Sequence, residues 1–170
     1  MPDNCTTSSV MRIADLAPGV VDNFLARFGL AINIVDDGQE IPASFWGDSE
    51  AGVHGHIVFV RRDTPVHSLL HETCHIVCMD DARRSELHRD AGGDDLEEAA
   101  VCYLQIILAE HIPGVGRRRL MQDMDTWGYS FRLGSTAAWF EHDADDARQW
   151  LVDRELLDAS GAPLWRLRDH

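Results

Sequence analysis

His71-Glu72-Thr73-Cys74-His75 spells HETCH, an instance of HExxH. In a helix, residues at i and i+4 lie on one face, one turn apart, so both imidazoles can reach a single metal ion. Glu72 is rotated about 100° from His71. A carboxylate so placed can reach a water beside the ion without joining the two histidines as a ligand. Two imidazoles with a carboxylate next to an open coordination position are the parts of a catalytic zinc centre. The flanking residues predict the helix that this geometry needs. Thr64 or Asp63 suits its N-cap and Pro65 its first turn. From Val66 to Met79 nothing breaks a helix, and Leu69, Leu70, Ile76 and Val77 are apolar.

A third ligand has to come from elsewhere. Asp90-Ala91-Gly92-Gly93-Asp94-Asp95 is a break, and Leu96 to Leu108 then predicts a second helix with Asp94 or Asp95 as N-cap. This helix is apolar nearly all round, which marks it as buried. It carries Glu97 and Glu98 in its first turn. Buried carboxylates need a partner, and a metal is one such partner. The helix dipole by itself also favours acidic residues there. Glu98 shares a stripe with Asp94, Cys102 and Gln105, whereas Glu97 shares one with Val101, Leu104 and Leu108. The more polar stripe suits the wall of a site, so Glu98 is the preferred ligand and Glu97 the alternative. Asp81 is a further alternative, standing where the metzincin-like word HExxHxxGxxH or xxD would end. There Cys78 replaces the glycine that turns the chain back towards the metal, and a Cβ makes that turn costly.

HETCH followed by a helix with Glu98-Ala99 resembles the gluzincin branch of the zincin metallopeptidases, and the chain length is similar to that of small single-domain members of the ImmA/IrrE type. The similarity spans roughly residues 53–108. It implies one zinc ion held by His71, His75 and Glu98, with Glu72 as general base in the hydrolysis of a peptide or other amide bond; two imidazoles and a carboxylate also accept other divalent metals. A peptide or protein substrate follows from the same resemblance. The main alternative is a catalytically silent zincin-like regulatory or protein-binding module that keeps the metal. One departure stands out. Gluzincins often place an Asp four residues after the ligand Glu to orient a histidine, and here that position is Cys102.

In zincins the strand before the HExxH helix edges the cleft and can pair with an extended peptide. Residues 53–61 read as that strand, with His54 and His56 on one face as cleft-lining, substrate-binding candidates. His67, one turn before His71, is a third such candidate. Cys74 and Cys78 read as small buried hydrophobes. Tyr103, Tyr129 and His88 are candidate donors to a transition-state oxyanion.

The chain has 170 residues, 45% hydrophobic and 26% charged, enough for one domain with a real core. A formal net charge of −14 disfavours nucleic acid and anionic lipid as partners. Arg117-Arg118-Arg119 reads as a solvated helix start. No stretch suits a signal peptide or a membrane span, and four cysteines without framework spacing point to the cytoplasm. Residues 1–9 read as a flexible arm and 10–170 as a single zincin-like domain. Within it a helix is expected over Val20–Phe28, strands over Leu30–Val35 and Ile41–Trp46, a helix over Gly116–Trp127, and one or two helices over 135–157 with Ser135 as N-cap. The five Trp residues read as packing groups. The expected architecture is α+β, a small mixed sheet against a helical body around a central HExxH helix.

Overall fold

The computed structural model describes residues 10–44, 47–86 and 93–169. The arm 1–9, Trp46 and His88 lie outside the described residues. The fold is α+β, and the described residues form seven α-helices and a three-stranded mixed sheet.

A short 3-10 turn, Ile13–Asp15, precedes helix α1, Val20–Ala26, and strand β1, Ala31–Val35. The expected strand over 53–61 is instead a hairpin of β2, Gly52–His54, and β3, Ile57–Arg61. The two are antiparallel, with His54 opposite Ile57. Gly55 makes the turn at φ 61°, in the left-handed region that a residue without a Cβ enters freely. His56 therefore sits in the turn, and His54 and His56 do not share a strand face. β1 pairs in parallel with the other edge of β3, giving the order β1-β3-β2. The central β3 has both edges taken and offers none to an extended peptide. The expected strand over Ile41–Trp46 is reduced, among the described residues, to a bridge between Ser44 and Gly52 after a turn at Pro42-Ala43. A Cβ at Gly52 would lie 2.1 Å from the Pro42 carbonyl oxygen, so the chain passes too close for any other residue.

Helix α2, Val66–Cys78, carries the HExxH residues. Its N-cap is Pro65, not Thr64 or Asp63. Those two side chains are spent on the turn that leads from β3 into the helix. Thr64 Oγ1 accepts from the Arg61 amide at 2.9 Å, and the Asp63 carboxylate takes the Arg61 guanidinium at 2.7 and 2.9 Å. The C-terminal end of α2 is buried, and its last carbonyls cannot be left without donors. Two arginines supply them. Arg84 donates to Ile76 O and Met79 O at 3.1 and 2.6 Å, while Arg168 donates its amide to Val77 O and its guanidinium to Cys78 O, both at 3.0 Å. Arg84 also holds Arg168 O at 2.9 Å, which ties the C-terminal segment to the helix.

Helix α3, Asp81–Ser85, follows directly, capped by Asp80. Helix α4, Asp95–Ala109, starts from Asp94, whose carboxylate accepts from the Glu97 amide at 2.8 Å. α4 packs on α2, on α5 (Arg117–Trp127) and on α7 (Asp145–Asp153). Its Val101, Leu104, Ile106 and Leu108 are shut off from solvent together with Leu69, Leu70 and Ile76 of α2. Helix α6, Thr136–His142, is capped by Ser135, which accepts from the Ala138 amide at 3.1 Å. Among the described residues no helix is long and apolar enough to cross a membrane.

Arg84 is 2% exposed and donates to three backbone carbonyls, those of Ile76, Met79 and Arg168. Replacing it with Ala leaves several buried acceptors unpaired. The expected loss is about 3–5 kcal/mol of folding stability in urea denaturation. An unchanged midpoint would show that water reaches this end of α2.

Candidate metal centre and its cleft

The two histidines leave the same face of α2 with their rings at 87° and their centroids 4.7 Å apart. Their Nε2 atoms stand 3.1 Å from each other. Glu98, in the first turn of α4, brings Oε1 to 3.3 Å from His75 Nε2 and Oε2 to 3.8 Å from His71 Nε2. All three groups offer a ligand atom within 4.8 Å of the others. Ligands at about 2.0–2.1 Å from one tetrahedral ion lie roughly 3.3–3.4 Å apart, so the three groups stand near the separations that a small metal ion would take. Two neutral imidazoles and a carboxylate are also donors that suit that ion. The group could hold a metal.

The protonation of the imidazoles follows from their surroundings. Gln105 of α4 is fully buried and donates its amide N–H to the His67 carbonyl at 2.8 Å. That bond fixes the amide, so the acceptor Oε1 faces His71 Nδ1 at 3.1 Å. His71 must then carry its proton on Nδ1 and present the Nε2 lone pair to the ligand triangle. Burial also holds His71 below its usual range and takes His75 down to about 3, which keeps both rings neutral. Gln105 thus orients the His71 ring from α4. Cys102 itself is a buried thiol, pushed up to about 12 by desolvation.

The alternative ligands are engaged elsewhere. Glu97 turns from the triangle to accept from Arg83 Nη1 at 2.8 Å. Its carboxylate packs over Gly93, where a Cβ would come within 2.4 Å of it. Asp81 pairs with Arg84, and its side chain is 72% exposed. Among the described residues, neither joins His71 and His75.

A cleft of about 340 Å³ opens beside the triangle, lined by Glu50, Ser68, His71, Glu72, Trp127, Gly128 and Tyr129. Glu72 is buried, at 5% exposure. Trp127 and Tyr129 reach the cleft because α5 ends between them. Gly128 enters the left-handed region at φ 105°, and the amides of Gly128 and Tyr129 bond back to Asp125 O and Met124 O at 3.2 and 3.0 Å. This paired closure satisfies the last carbonyls of the helix and needs a glycine at its pivot.

Of the three oxyanion candidates, Tyr129 lines the cleft, Tyr103 stacks on Phe140 away from it, and His88 lies outside the described residues. His67 sits behind Tyr129, with Nδ1 3.2 Å from the phenol oxygen and Nε2 buried without a partner. A buried lone pair without a partner is tolerated better than a buried N–H, so the proton belongs on Nδ1 and His67 donates to Tyr129. The Tyr129 proton is thereby left to point elsewhere. Burial pushes that phenol well above its ordinary range. His67 is 1% exposed and supports the wall without forming it, and neither His54 nor His56 lines the cleft.

Glu50, Ser68, Trp127 and Gln105 escaped the sequence reading. Ser68 lies one turn before His71 and Glu72, so helical spacing could have found it, and Gln105 stands on the polar stripe of Glu98. No local signal marks Glu50 or Trp127, which reach the cleft from a loop and from the end of a distant helix. Comparison of the chain with protein-family models, with curated proteins and with solved structures yields no match.

Replacing Gln105 with Leu removes the contact that sets the His71 tautomer. Zinc affinity should fall about 10–100-fold by competition with a chelating dye, as is usual for such orienting partners. An affinity within twofold of the parent would assign the tautomer to another group. The buried histidines also give a pH dependence. The unfolded chain protonates His67 below about 6.5, whereas the folded state resists until about 3. Metal-free protein should therefore lose stability as pH falls from 6.5 towards 3, by up to about 1.4 kcal/mol per pH unit for each such histidine. Urea denaturation of His67→Phe at pH 7 and pH 5 should show a shallower loss than the parent.

Proposed function

We propose that the protein is a metal-dependent hydrolase of peptide or other amide bonds, with zinc as the ion. The observation that supports this is the His71–His75–Glu98 triangle, all ligand atoms within 4.8 Å, with Glu72 and an open cleft beside it. The chemistry a zinc ion supplies when bound is Lewis acidity, which polarises a carbonyl oxygen and lowers the pKa of a water to about 7.

The chain supplies the rest. Glu72 follows His71 in α2 and faces the cleft, where it takes the proton of the attacking water and passes it to the leaving amine. Tyr129 carries its phenol proton at neutral pH, as any tyrosine does, and its hydroxyl donates to the oxyanion of the tetrahedral intermediate. His67 holds the phenol in place from behind. Gln105 keeps the His71 lone pair on the ligand side. The cleft takes one side chain or chain end of a peptide or protein substrate, without help from β3, whose edges are both occupied. The described cysteines, Cys74, Cys78 and Cys102, are free and buried, and we place the protein in the cytoplasm on that ground.

Glu72→Gln removes the base and leaves the ligand triangle intact. Zinc content should stay at the parent level, while hydrolysis of a peptide library by the zinc-loaded protein drops about 10²–10⁴-fold. Equal turnover by parent and variant would eliminate Glu72 as the base.

A further inference from the structure

Glu50 is the second carboxylate of the cleft, and the hydrolytic steps above make no use of it. It is firmly held. Oε1 accepts from Trp127 Nε1 at 2.8 Å, and Oε2 accepts from the Ser68 hydroxyl. The Ser68 oxygen in turn accepts from the Ala51 amide at 2.9 Å. An ionised carboxylate has about four acceptor directions, so these two bonds leave room for another donor. Glu50 also stands near enough for its charge to act on both His71 and Tyr129.

Among the described residues the cleft wall holds two carboxylates, Glu50 and Glu72, the imidazole of His71, two aromatic side chains, Trp127 and Tyr129, and no arginine. Together with Glu98 these carboxylates outweigh the charge that a divalent ion in the triangle would bring. Arg12 stands 5.9 Å from the Trp127 ring centroid but lines a different cleft, with Asp15, Asp48 and Asp63. Negative charges in a walled cleft focus the field and raise the local concentration of cations. A volume of about 340 Å³ suits a single side chain or chain terminus. A neutral or acidic group entering there would strip water from Glu50 without replacing the lost contact.

We propose that Glu50, together with Trp127 and Tyr129, forms a subsite for a positively charged amine or guanidinium of the substrate. The enzyme then acts beside a basic side chain or a free amino terminus. This places the subsite in the hydrolytic reaction proposed above and rests on that proposal for its role in turnover. Binding in the subsite does not require turnover.

Calorimetric titration of the zinc-loaded full chain tests the subsite with four probes. These are N-acetyl-lysine N-methylamide, norleucine N-methylamide with its free amine, the neutral N-acetyl-norleucine N-methylamide, and N-acetyl-glutamate N-methylamide. At least one cationic probe should bind ten times more tightly than the neutral one, with the glutamate probe weakest. The tighter of the two cations identifies side chain or amino terminus as the source of charge. Glu50→Gln should abolish the preference and leave the neutral probe within threefold of its parent affinity. Equal affinities of all four probes for the parent protein would overturn the subsite even if the variant fails to fold. So would a preference that survives in a folded Glu50→Gln protein. Failure of the hydrolytic proposal would look different, as a preference for cations in a zinc-loaded protein that cleaves nothing.

Discussion

Helix α4 lies against α2 along a seam that is apolar except at one patch. There Gln105 reaches across to the His67 carbonyl and the His71 ring, and Glu98 reaches the two Nε2 atoms. The cleft depends on this crossing. Gln105 and Glu98 are seven residues apart, two helical turns on one stripe, so a single placement of α4 delivers the orienting contact and the third candidate ligand together. A buried amide with both ends engaged tolerates little sliding of one helix along the other, because any slip strands a donor and an acceptor in an apolar interior. The hydrocarbon around it supplies most of the attraction, and the amide sets the register.

The charge of the chain is handled in a way that protects this arrangement. All fifteen basic residues are arginine. Several of them are built into the frame: Arg84 and Arg168 close the buried end of α2, Arg61 braces the turn that enters it, and Arg83 holds Glu97. The planar guanidinium offers up to five donors in a fixed fork, which lets one side chain serve two or three carbonyls where an ammonium would serve fewer as directionally. By engaging Glu97, Arg83 also decides which of two adjacent carboxylates is left to face the histidines. The cleft keeps its own carboxylates, Glu50 and Glu72, apart from that arginine frame.

Much of the frame was legible in the chain. The helix through HETCH, the buried helix after it, the caps Asp94 and Ser135, and the α+β class all follow from local periodicity and turn chemistry. The errors were also local. Gly55 was read as part of a strand, yet it is the one residue there that can take φ 61° without strain, and it folds the segment into a hairpin. Thr64 and Asp63 look like helix caps from their position alone, but a neighbouring arginine and an open turn competed for them and won. Gln105, which contacts the His71 ring, sits on the polar stripe of Glu98 two turns further on.

The spacing of His71, Glu72 and His75 is set by the sequence, because a helix of any length puts i and i+4 on one face and turns i+1 aside. The preference for Glu98 over Glu97 was likewise open to inspection, since the polar stripe of α4 is a property of its own residues. Which residues wall the cleft was a tertiary decision. Glu50 precedes a three-residue strand, Trp127 and Tyr129 flank a glycine at the end of α5, and none of them carries a periodic or pairwise signal that points to α2. They meet because burying the apolar faces of the helices leaves one packing solution, and contacts between distant segments appear only in that solution.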